Sequence, residues 1–243
     1  QGALDDLRAA AGDEIALFCC QNGVANERMA LRRFQNVYAM MVYLPAMALE
    51  PGVVQTHAAR MTGVLDASIY PTGSNDLVAQ VTGTLAGVNF SARPNPTVMR
   101  FKYGKLIMNL RNALAAVSPP GDGAAEIQAL MRAEAEACFK AAGIDYASQQ
   151  EETARRGDLM KSKLVEGQER GGGSSWQSLM RGTGNIEADF LNGEIVLLGR
   201  LHGIPTPANL VLQRQANALA ASKGAAQSLP LGELQRMIDQ AGI

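Results

Sequence analysis

Apolar and polar positions along the chain fall into two textures. Up to about residue 97, short apolar runs alternate with helical spacings. Residues 3–11 read as the end of an amphipathic helix that Gly12-Asp13 stops. Glu14 to Cys20 is a continuous apolar run, the pattern of a strand buried on both faces of a parallel sheet. Gln21-Asn22-Gly23 predicts a tight turn into a helix from Glu27 to Phe34. Val37 to Met47 is a second apolar run, closed by Glu50-Pro51-Gly52. Val53–His57 and Val64–Tyr70 are expected as paired strands, Asn75–Ala86 as a helix and Asn89–Ala92 as a last short strand. Strands alternating with helices place residues 1–97 in the α/β class.

The texture changes after Arg93-Pro94-Asn95-Pro96, a stiff segment that cannot sit inside a central element. From Thr97 onward the periodicity is helical, with helices expected over 98–117, 123–142, 146–168, 175–182, 186–202, 207–222 and 230–241. Gly203-Ile204-Pro205-Thr206-Pro207 is a helix stop followed by two prolines, and Gly171-Gly172-Gly173 reads as a loop. The prediction is α/β plus all-α, with an α/β domain over 1–97 and an all-helical domain over 98–243.

Composition narrows the function. The 243 residues are 47% hydrophobic and 19% charged, ordinary for a globular protein. Lys and Arg total 22 against 23 Asp and Glu, so no basic field exists to hold nucleic acid or an anionic membrane. No apolar stretch approaches the ~20 residues of a membrane span. The three cysteines, Cys19, Cys20 and Cys138, do not make a disulfide framework or a zinc site, and are expected as buried, inert thiols of a cytoplasmic protein. In a strand the adjacent Cys19 and Cys20 would point to opposite faces. With only His57 and His202, no metal centre is expected. The opening Gln-Gly-Ala-Leu-Asp-Asp-Leu reads as a polar helix and not a signal peptide, and the chain is expected to begin partway through a longer protein.

Three places carry candidate chemistry. Lys105, Asn109 and Asn112 are spaced four and then three apart, on one face of an otherwise apolar helix. One cation and two amides in line suit an anionic, carbonyl-bearing ligand; a surface charge beside two capping amides is the alternative. Ser174-Ser175-Trp176 starts a helix, where serine caps backbone donors and where exposed amides also suit a carboxylate. Glu187 opens another helix, where the macrodipole alone favours an acid. No G-x-G-x-x-G occurs, so nothing present is built for a nucleotide pyrophosphate.

Taken in order, these pieces resemble the ketopantoate reductases (2-dehydropantoate 2-reductases). The resemblance rests on Gln21-Asn22-Gly23-Val24, Glu50-Pro51-Gly52, Tyr103-Gly104-Lys105-Leu106-Ile107-Met108-Asn109, Ser174-Ser175, Glu187 to Gly193, and His202 to Pro207, and runs from about residue 14 to 215. It implies a Rossmann-type domain followed by a helical, 6-phosphogluconate-dehydrogenase-like C-terminal domain, with NADPH as cofactor and a small 2-oxo acid, ketopantoate, as substrate. A homodimer is left open. Lys105 matches the family's general acid. Asn109 and Ser175 match substrate-binding positions, and Asn112 is grouped with them. Asn22 matches the turn residue touching cofactor and substrate, and Glu187 an acid near the nicotinamide end. The family often has a second asparagine eight residues after the lysine. Here that position is Ala113, and Asn112 stands one residue earlier, ~100° around a helix. The family's first strand, glycine-rich turn and NADP-selecting residues have no counterpart, a gap of about two βαβ units at ~30 residues each. The expectation is a reductase whose front part lies outside these residues. The alternatives are a non-catalytic helical or dimerisation relative without cofactor, and a reductase of another branched 2-oxo acid.

Overall fold

The computed structural model describes residues 2–48, 50–161, 174–182 and 184–242. They form two compact units, neither continuous in sequence. The first holds the described residues of Gln1–Ala48, Gly52–Lys105 and Tyr146–Glu169, and the second those of Leu49–Pro51, Leu106–Asp145 and Arg170–Ile243.

The first unit is a mixed sheet with helices on both faces. Its elements run α1 (Gly2–Ala11), β1 (Ala16–Cys19), α2 (Asn26–Leu31), β2 (Asn36–Tyr43), β3 (Ala46–Met47), β4 (Gln55–Thr56), β5 (Gly63–Ile69), α3 (Asp76–Ala86), β6 (Phe90–Ser91) and α4 (Val98–Asn109), which carries residues of both units. After the second unit's first helices the chain returns with α7 (Gln149–Arg156) and a 3₁₀ turn, Gly157–Met160. The main sheet has the order β1-β2-β5-β6. β1 pairs with β2 in parallel, β2 with β5 antiparallel from Tyr38↔Ile69 to Tyr43↔Val64, and β5 with β6 in parallel. The two-residue period then sorts the core. Phe18, Tyr38, Met40, Leu65 and Ala67 pack with Val78 of α3 on one face. Cys19 and Val37 pack with Ala30, Phe34, Leu4 and Leu7 on the other. Asn75 caps α3 by accepting from the Val78 N–H at 3.0 Å.

Four expectations are corrected here. The run Val37–Met47 is two strands, because Pro45 has no N–H for a ladder and β2 ends at Tyr43. Val53–His57 and Val64–Tyr70 do not pair: β4 joins β3 in a separate two-stranded sheet, while β5, buried along nearly its whole length, takes a central place beside β2. β1 is not buried on both faces; it ends the strand order and only Cys19 in it is buried. Cys20 is exposed, whereas burial pushes the Cys19 thiol up to about 12 and that of Cys138 to about 11, which keeps both protonated and inert.

The second unit is helical: the end of α4, α5 (Arg111–Val117), α6 (Ala124–Ala142), α8 (Ser174–Arg181), a 3₁₀ turn Glu187–Phe190, α9 (Asn192–His202), α10 (Pro207–Ala221) and α11 (Leu231–Ala241). α10 packs on α5, α9 and α11, α6 on α9, and α5 on α8. A buried polar network ties it together. Asn192 donates to Asn209 Oδ1 at 3.0 Å, and Asn209 Nδ2 donates to the Met131 carbonyl at 3.0 Å. Glu134 accepts from the Ala208 and Asn209 N–H groups at 2.7 and 3.0 Å, satisfying the start of α10 where Pro207 needs no partner. The expected helix 146–168 ends at Arg156, where Gly157 turns to φ +46°; residues 162–168 and the glycine run 171–173 lie outside the described residues. The expected helix 186–202 is broken at Leu191, with φ −113° and ψ −87°. Among the described residues no helix is long and apolar enough to cross a membrane.

Candidate active site

Strand β1 delivers the chain to a turn in which Gly23 takes φ +76°, a conformation open to glycine and costly for most other residues. Asn22 is half-buried in that turn. Lys105, half-buried on α4, donates to Asn22 Oδ1 at 2.8 Å and to the Val42 carbonyl at the end of β2. Its Nζ also lies 5.2 Å from the centroid of the Tyr43 ring, and the Arg156 guanidinium lies 5.0 Å from the same centroid. Two oxygen acceptors and a π-face form an environment for an ammonium ion. Burial, reinforced by the Glu152 carboxylate, holds the Tyr43 phenol well above its ordinary range, so the ring stays neutral beside both cations. Gly104 lets α4 come close to the 147–152 segment: a Cβ there would stand 2.5 Å from the Ala147 carbonyl oxygen and 2.7 Å from Glu152 Oε1.

The remaining predicted residues belong to the second unit. Asn109 ends α4, one turn beyond Lys105, and its Nδ2 is buried without a hydrogen-bond partner among the described residues. Asn112 stands on α5 and not on α4, although Leu110 between them keeps helical angles of φ −54° and ψ −36°. Ser175 is 1% exposed in the first turn of α8, and its hydroxyl is buried without a hydrogen-bond partner among the described residues, so it caps none of their backbone. Glu187 is half-buried at the start of a 3₁₀ turn, in place of the first turn of a long helix. Asn22 and Lys105 are thus brought into contact. Asn109 and Ser175 each present an unsatisfied buried polar group.

The model of the ketopantoate reductase PanE/ApbA C-terminal domain matches residues 88–220. The chain belongs to the ketopantoate reductase family. Lys105, Asn109, Asn112, Ser175 and Glu187 all fall within the matched stretch of this oxidoreductase family. The 2-dehydropantoate 2-reductase of Pyrococcus horikoshii is 25% identical over 197 residues, 79% of this chain and 63% of that protein. The chain therefore spans less than two thirds of that ketopantoate reductase. The crystal structure of a PanE/ApbA family ketopantoate reductase from Ralstonia eutropha JMP134 superposes with a TM-score of 0.73 at 26% identity, covering 92% of this chain and 72% of that one. D-mandelate dehydrogenase in ternary complex with NADH and anilino(oxo)acetate shares the fold, with a TM-score of 0.74 at 18% identity over 91% of this chain and 73% of that one.

Sequence reasoning missed four residues near Lys105. Tyr43 and Arg156 are brought beside it by the fold, from β2 and α7, and no local spacing announces them. Lys102 and Glu27, both buried, form an ion pair one helical turn away.

Proposed function

We propose that this chain supplies the substrate-binding and proton-donating part of an NADPH-dependent reductase that converts 2-dehydropantoate to pantoate, a step toward pantothenate and coenzyme A. The observation that carries the reading is the Lys105–Asn22 contact at the carboxyl end of β1, the edge at which α/β sheets bind their ligands.

No G-x-G-x-x-G turn occurs in the chain, so its share of the cofactor site is the nicotinamide end, with Asn22 and Glu187 as the contacting residues. The bound cofactor supplies a hydride to the ketone carbon. Lys105 polarises the ketone oxygen and donates a proton as negative charge develops there, a role for which a fixed cation is suited. Asn22 and the Val42 carbonyl orient the ammonium. The unsatisfied Asn109 amide and Ser175 hydroxyl are two donors that the oxygens of a 2-oxo acid satisfy; Ser175 takes the carboxylate and Asn109, with Asn112, the remainder of the substrate. Filling such groups is favourable because they have already lost their water.

A second reading, reduction of another branched 2-oxo acid, is favoured by Ala113 standing where the family's amide is common. Oxidation of NADPH by the native full-length protein, followed at 340 nm across a panel of 2-oxo acids, tests both. Turnover of 2-dehydropantoate at least about tenfold above the others is expected. A different preferred acid replaces the first reading with the second, and no turnover of any 2-oxo acid retires both.

A further inference from the structure

Lys102 is one turn before Lys105 on α4, yet it is not a surface lysine. It occupies an apolar stripe, Val98, Lys102 and Leu106, at 0%, 4% and 0% exposure. Glu27 occupies the equivalent place on α2, between Val24 and Ala30, and is fully buried. A charge on each of two core-facing stripes is costly unless the two meet. They do. Lys102 Nζ donates to Glu27 Oε1, and also to the Gln21 carbonyl at 3.2 Å and the Met40 carbonyl at 3.3 Å. Glu27 Oε2 has no hydrogen-bond partner among the described residues, so the carboxylate depends on Lys102.

The carbonyls that Lys102 holds are placed tellingly. Gln21 immediately precedes Asn22, and Met40 is two residues before Val42. Those are the two residues that accept from Lys105. Two ammonium groups one turn apart on α4 therefore tie down the same two backbone segments, one from within the core and one at the sheet edge. An apolar pair of similar volume would serve the core equally well but would have no donors for the Gln21 and Met40 carbonyls.

We propose that the buried Lys102–Glu27 pair is a positioning device: it fixes the Gln21–Gly23 turn and the end of β2 so that Asn22 and Val42 hold the Lys105 ammonium in its productive place. The proposal rests on the reading of Lys105 as proton donor. It requires that loss of the pair disturb the turn before it disturbs the fold.

The test compares the native full-length protein with the Glu27→Met/Lys102→Met double variant, and with Lys102→Arg, which keeps the charge pair but not the compact ammonium, should the double variant fail to fold. Expected are a melting temperature within a few degrees of wild type, at least tenfold faster amide hydrogen exchange confined to residues 21–24, and kcat lower by about 10–100-fold with little change in KM, the scale of loss that a misplacement of about 1 Å produces. Unchanged exchange in the turn overturns the proposal, whatever the activity. Accelerated exchange with kcat within twofold of wild type overturns it too, because the turn would then move without displacing Lys105. If the wild-type protein reduces no 2-oxo acid, the proposed function falls, and the exchange measurement alone decides whether the pair anchors the turn.

Discussion

Lys105 donates a 2.8 Å hydrogen bond to the side-chain oxygen of Asn22, 83 positions earlier in the chain. The contact joins the middle of a helix to the turn that leaves the first strand, and the Val42 carbonyl closes it from the second strand. Each partner is an acceptor, so the two contacts fix the direction of the lysine nitrogen.

On the proposed function, Lys105→Met in the native protein is expected to lower kcat by roughly 10²–10⁴-fold, the usual loss when a positioned acid is removed. KM for NADPH should change little. Asn22→Ala removes an acceptor but leaves the proton donor, so its loss in kcat should be smaller. Steady-state kinetics decide it: a Lys105→Met enzyme with more than a tenth of wild-type turnover would sink the assignment.

Most elements were legible because each rests on a local signal. The helix that starts at Asn75, the Gly23 turn and the Gly203–Pro207 helix stop need only neighbouring residues to explain them. Strand pairing was not legible. β5 reads as a partner for the segment before it, yet it pairs with β2, because partner choice depends on which buried faces meet across long loops. The candidate site divides in the same way. The Lys105–Asn109 spacing was visible on one helix, whereas Tyr43 and Arg156 come from distant elements. Lys102 and Glu27 did leave a trace: each is a charge at a position where helical periodicity demands an apolar residue. The Asn209–Glu134 contacts could be sensed only as an asparagine following the Thr206-Pro207 helix start, with no hint of its partner.

Gly104→Ala tests the close approach between α4 and the 147–152 segment. The added methyl would meet the Ala147 carbonyl oxygen at 2.5 Å, and backbone cannot move aside cheaply. Overpacking of this kind costs about 1–3 kcal/mol. Urea denaturation should show a lower midpoint at an unchanged slope. A midpoint equal to that of wild type would mean that the two segments do not touch here.

Arg155 grips Asp66 through two hydrogen bonds of 2.6 and 2.5 Å, with the guanidinium 7% exposed and the carboxylate fully buried in β5. Arg155 also donates to the Ser91 hydroxyl and carbonyl at 3.1 and 3.2 Å, so α7 is fastened to two strands at once. Arg155→Met leaves the buried carboxylate with only the exposed Arg93, 3.7 Å away, as an ion-pair partner among the described residues, and is expected to cost about 3–5 kcal/mol. The Asp66→Ala/Arg155→Met pair should cost less than the sum of the two single changes, because neither charge is then left alone. A double-mutant cycle with additive effects would show that the contact carries no coupling.

Glu151 gives the sheet-bearing unit a dependence on acid. Its carboxylate accepts from Arg100 at 2.9 Å and from the Ser148 N–H at 2.8 Å, while the Ser148 hydroxyl accepts from the Glu151 N–H at 3.2 Å, a capping box at the start of α7. The Arg100 hydrogen bond first, and the Ser148 contacts after it, lower the carboxyl from 4.5 to about 2. The folded state therefore holds this group's charge more readily than the unfolded chain does. Its contribution to stability is fully present above about pH 5, diminishes as pH falls through 4.5, and is gone once pH passes below about 2. Melting temperatures of wild type and Glu151→Gln should differ by a constant amount between pH 7 and 5 and converge as pH approaches 2. Carboxyl chemical shifts provide the direct check: a Glu151 titration midpoint near 4.5 in the folded protein would show that neither Arg100 nor the capping box holds the charge.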